Sequence, residues 1–161
     1  MFRKIRLEKQ ALSPEGCIEA LNRGTSGVLA VSGDENYPYA VPLSYLYHGG
    51  KIIFHCAVTG HKLDAIARNN KVSFCVIDQD VVVPKDYTTH YRSVIVFGKA
   101  RVLDDADEKR DAMKMLAAKY FPGDIQGTSQ YIDKAFDRFC VVEIAIEHIT
   151  GKEAEELLEK G

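Results

Sequence analysis

Phe54-His-Cys-Ala-Val-Thr-Gly-His-Lys62 is the stretch on which the reading of this chain turns. The run from Lys51 to Ala57 reads as an apolar strand and Thr59-Gly60 as a turn. Residues 62–69 read as a short helix with Leu63, Ile66 and Ala67 on one face. A strand that feeds through glycine into such a helix gathers unpaired N–H groups, the positive end of a helix dipole and the Lys62 cation at one point. That is the chemistry a phosphate requires. Gly60 lets the backbone approach an anion or take a positive φ. A plain surface lysine after a turn has the same local signature, so the case depends on the rest of the chain.

Working outward, alternating apolar residues bounded by turns predict strands at 27–32, 39–47, 72–83, 92–103 and 139–148, besides the one at 51–57. Gly33-Asp-Glu-Asn36 and His48-Gly-Gly50 join the first three as hairpins. A helix begins after Ser13 with Pro14 in its first position, turns Cys17, Ile18 and Leu21 inward and ends at Arg23-Gly24. A second, from Ala106 to Tyr120, is capped by Asp104 or Asp105 and packs through Ala112, Met113, Leu116, Ala117 and Tyr120. Residues 121–127 read as a loop, Tyr131 to Phe136 as a short helix and 153–160 as a charged terminal helix. Six strands joined mostly by short turns argue for a mainly β chain, an antiparallel barrel with peripheral helices, and against a parallel sheet. The long strand at 72–83 is apolar on both faces. It needs cover on both, which points to a second subunit.

With 161 residues the chain makes one domain, its barrel core spanning about 27–148. Acids and bases nearly cancel (net charge −2) and are scattered, which excludes a nucleic-acid partner as the design principle. Cys17, Cys56, Cys75 and Cys140 are isolated from one another in sequence, which argues for reduced, buried thiols and against a metal site. The N-terminus lacks a signal-peptide core and no run is long enough to span a membrane, so a soluble cytoplasmic protein is expected.

Three segments are candidates for one site. In Tyr39-Ala-Val-Pro-Leu-Ser-Tyr45, Pro42 marks an edge or irregular strand whose free backbone groups can pair with a planar heterocycle or simply deter aggregation. In the 54–62 stretch, His55 alternates with Phe54 and Cys56, as a catalyst or as a structural imidazole. In His90-Tyr-Arg-Ser-Val-Ile-Val-Phe-Gly98, Arg92 offers a bidentate grip and Ser93 a hydroxyl at a strand rim; a surface acid is the competing partner for Arg92.

In this order, Val41-Pro-Leu-Ser-Tyr, the 54–63 stretch, Tyr91-Arg-Ser-Val-Ile-Val-Phe-Gly and Ile149-Thr-Gly-Lys-Glu-Ala154 resemble the pyridoxamine 5′-phosphate oxidase-like, FMN-binding split-barrel superfamily, within it the nitroimidazole-resistance branch. The resemblance covers about residues 3–155. It implies a six-stranded split β-barrel and a homodimer holding FMN at the subunit interface. Carried over by position, it sets Val41, Pro42 and Leu43 along the flavin ring, and His55, Cys56 and Ala57 beside the ring and ribityl chain. Lys62 falls on the phosphate, with His61 where relatives often carry arginine, and Arg92 and Ser93 at the phosphate and ribityl end. The C-terminal Gly151-Lys152-Glu153 matches a signature of the nitroimidazole branch. Pyridoxamine phosphate oxidases grip their substrate with an arginine-rich C-terminal segment; the acidic 153–161 stretch cannot, so pyridoxine metabolism is set aside. The implied activity passes electrons or hydride from reduced flavin to a small acceptor such as a nitroaromatic, with His55 beside it. Two rivals keep the barrel. One is a non-catalytic flavin or haem binder, with His48, His55, His61, His90 or His148 as axial ligand; the other is a deazaflavin-dependent reductase.

Overall fold

In the computed structural model, which describes residues 1–158, seven antiparallel strands form one sheet. They are β1 (Ser26–Ser32), β2 (Pro38–Ser44), β3 (Leu46–His48), β4 (Lys51–Ala57), β5 (Lys71–Val83), β6 (Thr88–Val102) and β7 (Phe139–Glu153), in the order β2-β1-β5-β6-β7-β4-β3. The first and last strands of that order are separated in the chain by Tyr45 alone, so the sheet must curl into a barrel. The count exceeds the expected six because the single strand read over 39–47 breaks at Tyr45. Its backbone leaves the ladder, and side chains of α3 (Ala106–Tyr120) satisfy it. The Tyr45 N–H donates to the Tyr120 hydroxyl (2.9 Å), and the Tyr45 carbonyl accepts from Lys119 Nζ (3.1 Å) and the Tyr120 hydroxyl (2.7 Å). A buried peptide group off the ladder needs such partners.

The remaining helices are α1 (Pro14–Arg23), α2 (His61–Arg68), α4 (Ile125–Ala135) and α5 (Glu155–Leu158). Ser13 caps α1 by accepting from the Gly16 N–H at 3.0 Å, with Pro14 at the first position. The inward face of α1 is Cys17, Ala20 and Leu21, whereas Ile18, expected inside, is outside: the 17, 20, 21 spacing fills one helical stripe. Asp105 caps α3, accepting from the Glu108 N–H at 2.8 Å. The fourth helix starts at Ile125 instead of Tyr131 because Asp124 caps it through the Gly127 N–H, at 2.9 Å. Of the terminal helix read over 153–160, Glu153 belongs to β7, Glu155–Leu158 are helical and 159–160 lie outside the described residues.

Two cores result. Leu29, Phe54, Phe74, Val96 and Ile144 fill the barrel, and α1 packs across β3, β5, β6 and β7. On the outer face of β4 and β7, Ile53 and Val141 meet Met113, Leu116 and Ile132 of α3 and α4. Among the described residues no helix covers the opposite outer face. There Pro42, Val28, Cys75 and Ile95 stand in register across four strands, with Ile77 and Phe97 exposed beside them. Phe2 stacks on Phe97 at one end of this face, with ring centroids 5.4 Å apart, and around Val28, Cys75 and Ile95 no helix among the described residues supplies the cover that the apolar outer face of β5 demands.

Gly98 sits at a bulge between β6 and β7. A Cβ there would overlap the Ala145 carbonyl oxygen and stand 2.9 Å from Ile144 Cγ2. Gly98→Ala is expected to destabilise the fold by about 1–3 kcal/mol, the scale of overpacking. Urea unfolding followed by far-UV circular dichroism measures this, and an unchanged midpoint would contradict the close approach.

Candidate functional site

The barrel stays open along one seam. Among the described residues β2 pairs only with β1, and β4 pairs with β3 only as far as Ile53, so the outer edges of Pro38–Ser44 and Phe54–Ala57 lack strand partners. Both edges start from the break at Tyr45, so they flank one cleft. Val41, Pro42 and Leu43 lie on one wall, and His55, Cys56 and Ala57 on the other. Pro42 falls on an edge strand, as its missing N–H requires. Val41 and Leu43 turn their side chains toward the barrel core, and Pro42 faces out. What the two walls offer the cleft is therefore largely backbone N–H and C=O.

Helix α2 reaches the cleft from the end of β4. Ala65 and Ile66 anchor it in the barrel core, and His61 stacks on Tyr39 of β2 with ring centroids 4.1 Å apart. Its N-cap is Gly60, at φ 142°, with no capping side chain and nothing within 4 Å of where a Cβ would stand. The Leu63 and Asp64 amides bond to the Gly60 carbonyl, which leaves those of His61 and Lys62 uncapped. Among the described residues Lys62 makes no ion pair, unlike its neighbour Arg68, held by Asp34 at 2.7 Å. Its charge is felt at Cys56: burial pushes that thiol up and Lys62 pulls it part of the way back. His61 turns toward Asp34, with Nε2 3.6 Å from Oδ2 and without a hydrogen bond. Uncapped amides, a clear Gly60 and an unpaired ammonium at the cleft end make a cradle that fits a phosphate.

Within one chain Lys62 and Arg92 lie toward opposite ends of β7. Ala57, which leads to α2, pairs with Phe139 at one end of β7; Arg92 and Ser93 pair with Glu153 and Lys152 at the other. Arg92 is already engaged, Nε donating to Glu153 Oε2 at 2.8 Å and Nη1 to Asp78 Oδ2 at 3.3 Å. The carboxylate of Asp78 also accepts from Arg23 Nε and Nη2, at 3.0 and 2.8 Å. Gly151-Lys152-Glu153 is the cross-strand partner of Arg92–Val94, so these two motifs form one structural unit.

Burial raises the Asp78 pKa, but the two guanidinium partners outweigh it and hold the carboxyl below its ordinary value. A depressed carboxylate contributes stability that is present at neutral pH and lost as the pH falls through its folded pKa. Asp78→Asn should therefore be less stable than wild type at pH 7, by about 1–3 kcal/mol. That gap should narrow below about pH 4. Urea melts at pH 7 and pH 3 make the comparison, and a gap undiminished at pH 3 would contradict the assignment.

His55 faces outward from β4, edge-on to Phe139 with ring centroids 5.9 Å apart. Partial burial lowers its pKa, which favours the neutral imidazole at pH 7. Beside it, between β4 and helices α3 and α4, lies a cavity of about 450 Å³ that reasoning from sequence did not find. Its lining includes Leu116 and Tyr120, which the helical stripe presents only as core, and Phe121 and Tyr131, which the sequence places in a loop and at the start of a short helix. The Asp124-x-x-Gly127 cap was the available signal.

A sequence model of the pyridoxamine 5′-phosphate oxidase family matches residues 13–153. The chain belongs to this family. Among solved structures, this family member is similar to a candidate 5-nitroimidazole antibiotic resistance protein from Bacteroides thetaiotaomicron (21% identity, 89% of this chain and 86% of that one, TM-score 0.79). It is also similar to a FAD-binding protein from Mesorhizobium loti (24%, 90% and 97%, TM-score 0.62) and to the FAD and heme binding protein from Mycobacterium smegmatis (20%, 91% and 74%, TM-score 0.74). No curated protein matches the chain significantly. These likenesses establish the pyridoxamine 5′-phosphate oxidase-like split barrel. No helix among the described residues is long and apolar enough to cross a membrane.

Proposed function

We propose that this member of the pyridoxamine 5′-phosphate oxidase family binds FMN in the cleft between β2 and β4 and passes electrons from the reduced flavin to a small acceptor such as a nitroaromatic. The observation that carries the reading is the continuity of two unpaired strand edges with the uncapped α2 N-terminus and Lys62. A single ammonium at a single helix end suits one terminal monophosphate, and similar barrels include FAD-binding proteins.

When bound, the flavin supplies the two-electron chemistry. The chain supplies the rest. Backbone groups of Val41–Leu43 and His55–Ala57 orient the heterocycle by hydrogen bonds along the cleft. Lys62 and the amides of His61 and Lys62 hold the phosphate. His55, its pKa lowered by partial burial, offers a hydrogen bond to an acceptor at the outer side of β4. Ser93 and Arg92 can join the phosphate end only from a second copy. The uncovered face around Val28, Cys75 and Ile95 supports such a copy, a homodimer formed through these strands.

Titrating the purified protein with FMN tests the reading. Quenching of flavin fluorescence with a dissociation constant of roughly 1 μM or tighter is expected, the scale of two or three charge-assisted contacts plus stacking. A Soret band on purification, with no FMN binding, would overturn it in favour of haem.

A further inference from the structure

We infer that the cavity between β4 and helices α3 and α4 binds an uncharged aromatic molecule of one or two rings. Its volume of about 450 Å³ lies in the range of small-molecule sites. Met113, Leu116 and Ile132 form a buried aliphatic floor, while Phe121 and Tyr131 stand largely exposed at 68% and 67%. Aromatic side chains left open to water over an apolar cavity are the composition that stacks on a flat ligand.

The charges define the class. Among the described residues Asp124 is the one charged side chain in the lining, and its carboxylate is engaged in capping α4. Among the described residues no cation lines the cavity. On α3, Lys119, next to the lining residue Tyr120, has its ammonium held by the carbonyls of Gly24 (2.5 Å) and Tyr45 (3.1 Å). An anion entering here would leave water for a carboxylate and no partner, whereas a neutral ring pays no such cost. His55 and Thr128 supply hydrogen bonds for a polar substituent, and the Tyr120 hydroxyl is taken up by the Tyr45 and Thr25 backbone.

The site meets the cleft at Tyr45: Ser44, in its lining, ends β2, and His55 belongs to the unpaired half of β4. Naming the bound ring as the electron acceptor rests on the flavin reading above; the binding itself does not.

Saturation-transfer NMR and calorimetry on the full chain, with and without FMN, provide the test, using 2-naphthol as the neutral probe and 2-naphthoate as the anionic one. The naphthol should bind in both states and the naphthoate at least roughly tenfold more weakly, since nothing offsets desolvation of the anion. Ala117→Phe and Thr128→Trp, each filling the cavity, should weaken naphthol binding by a similar factor and leave FMN affinity unchanged. Absence of naphthol binding, naphthoate binding as tight as naphthol, or two folded variants that keep wild-type naphthol affinity would each overturn the inference. Naphthol binding with the expected variant effects but no FMN binding would overturn the flavin reading alone.

Discussion

Tyr45→Ala is expected to lower the unfolding free energy by about 3–5 kcal/mol, the cost of deleting a large ring from a close-packed core. The ring is wholly buried, edge-on to Phe74 with centroids 5.0 Å apart, and the Lys119 ammonium lies 4.3 Å from its centre. The Tyr45 hydroxyl donates to the Leu21 carbonyl at 2.6 Å. That carbonyl lies in the last turn of α1, where no intrahelical donor is available. Tyr45→Phe isolates this bond: the ring and the backbone contacts to Lys119 and Tyr120 persist, and a buried acceptor is left unpaired, at about 1–3 kcal/mol. Denaturant unfolding of both variants measures the two contributions. A Tyr45→Phe protein as stable as wild type would show that the hydroxyl does not tie α1 to the break between β2 and β3.

The second large effect concerns binding. Lys62→Ala should weaken FMN by roughly tenfold or more, since a hydrogen bond to a charged partner contributes about 1.5–3 kcal/mol. Lys62→Arg keeps the charge and should retain most of the affinity. Fluorescence titration of the three proteins decides it, and a Lys62→Ala variant with wild-type affinity removes Lys62 from the phosphate site. Arg92 behaves differently in this account. It is bonded to Glu153 and Asp78 at the far end of β7 from Ala57, so any effect of Arg92→Ala on FMN must come through a second copy of the chain.

What the amino-acid order disclosed and what it hid follow from the range of the interactions involved. Lys51–Ala57 was readable because a short apolar run closes on a glycine turn, and Pro42 announced an unpaired edge by lacking an N–H. Both are local signals, and together they located the two walls of the cleft. The break at Tyr45 was hidden. An aromatic residue in an apolar run looks like any strand position, and the groups that capture its backbone lie on α3, with Tyr120 75 positions along the chain. Arg92 was equally ambiguous. A register shift between Ile77 and Gln79 accompanies the placing of Asp78 against both Arg23 and Arg92, and nothing near Arg92 in sequence foretells it. Similarly, His61 found its neighbours, Tyr39 and Asp34, across the cleft and not beside it in sequence.

The central claim is that the α2 N-terminus recognises a phosphate at the end of a flavin held between β2 and β4. Comparing the affinities of FMN and riboflavin for the wild-type protein tests it most directly, because the two ligands share every atom except that phosphate. A preference for FMN of at least roughly tenfold is predicted, the magnitude of one charge-assisted contact. Equal affinity for the two, or binding of neither, would contradict it.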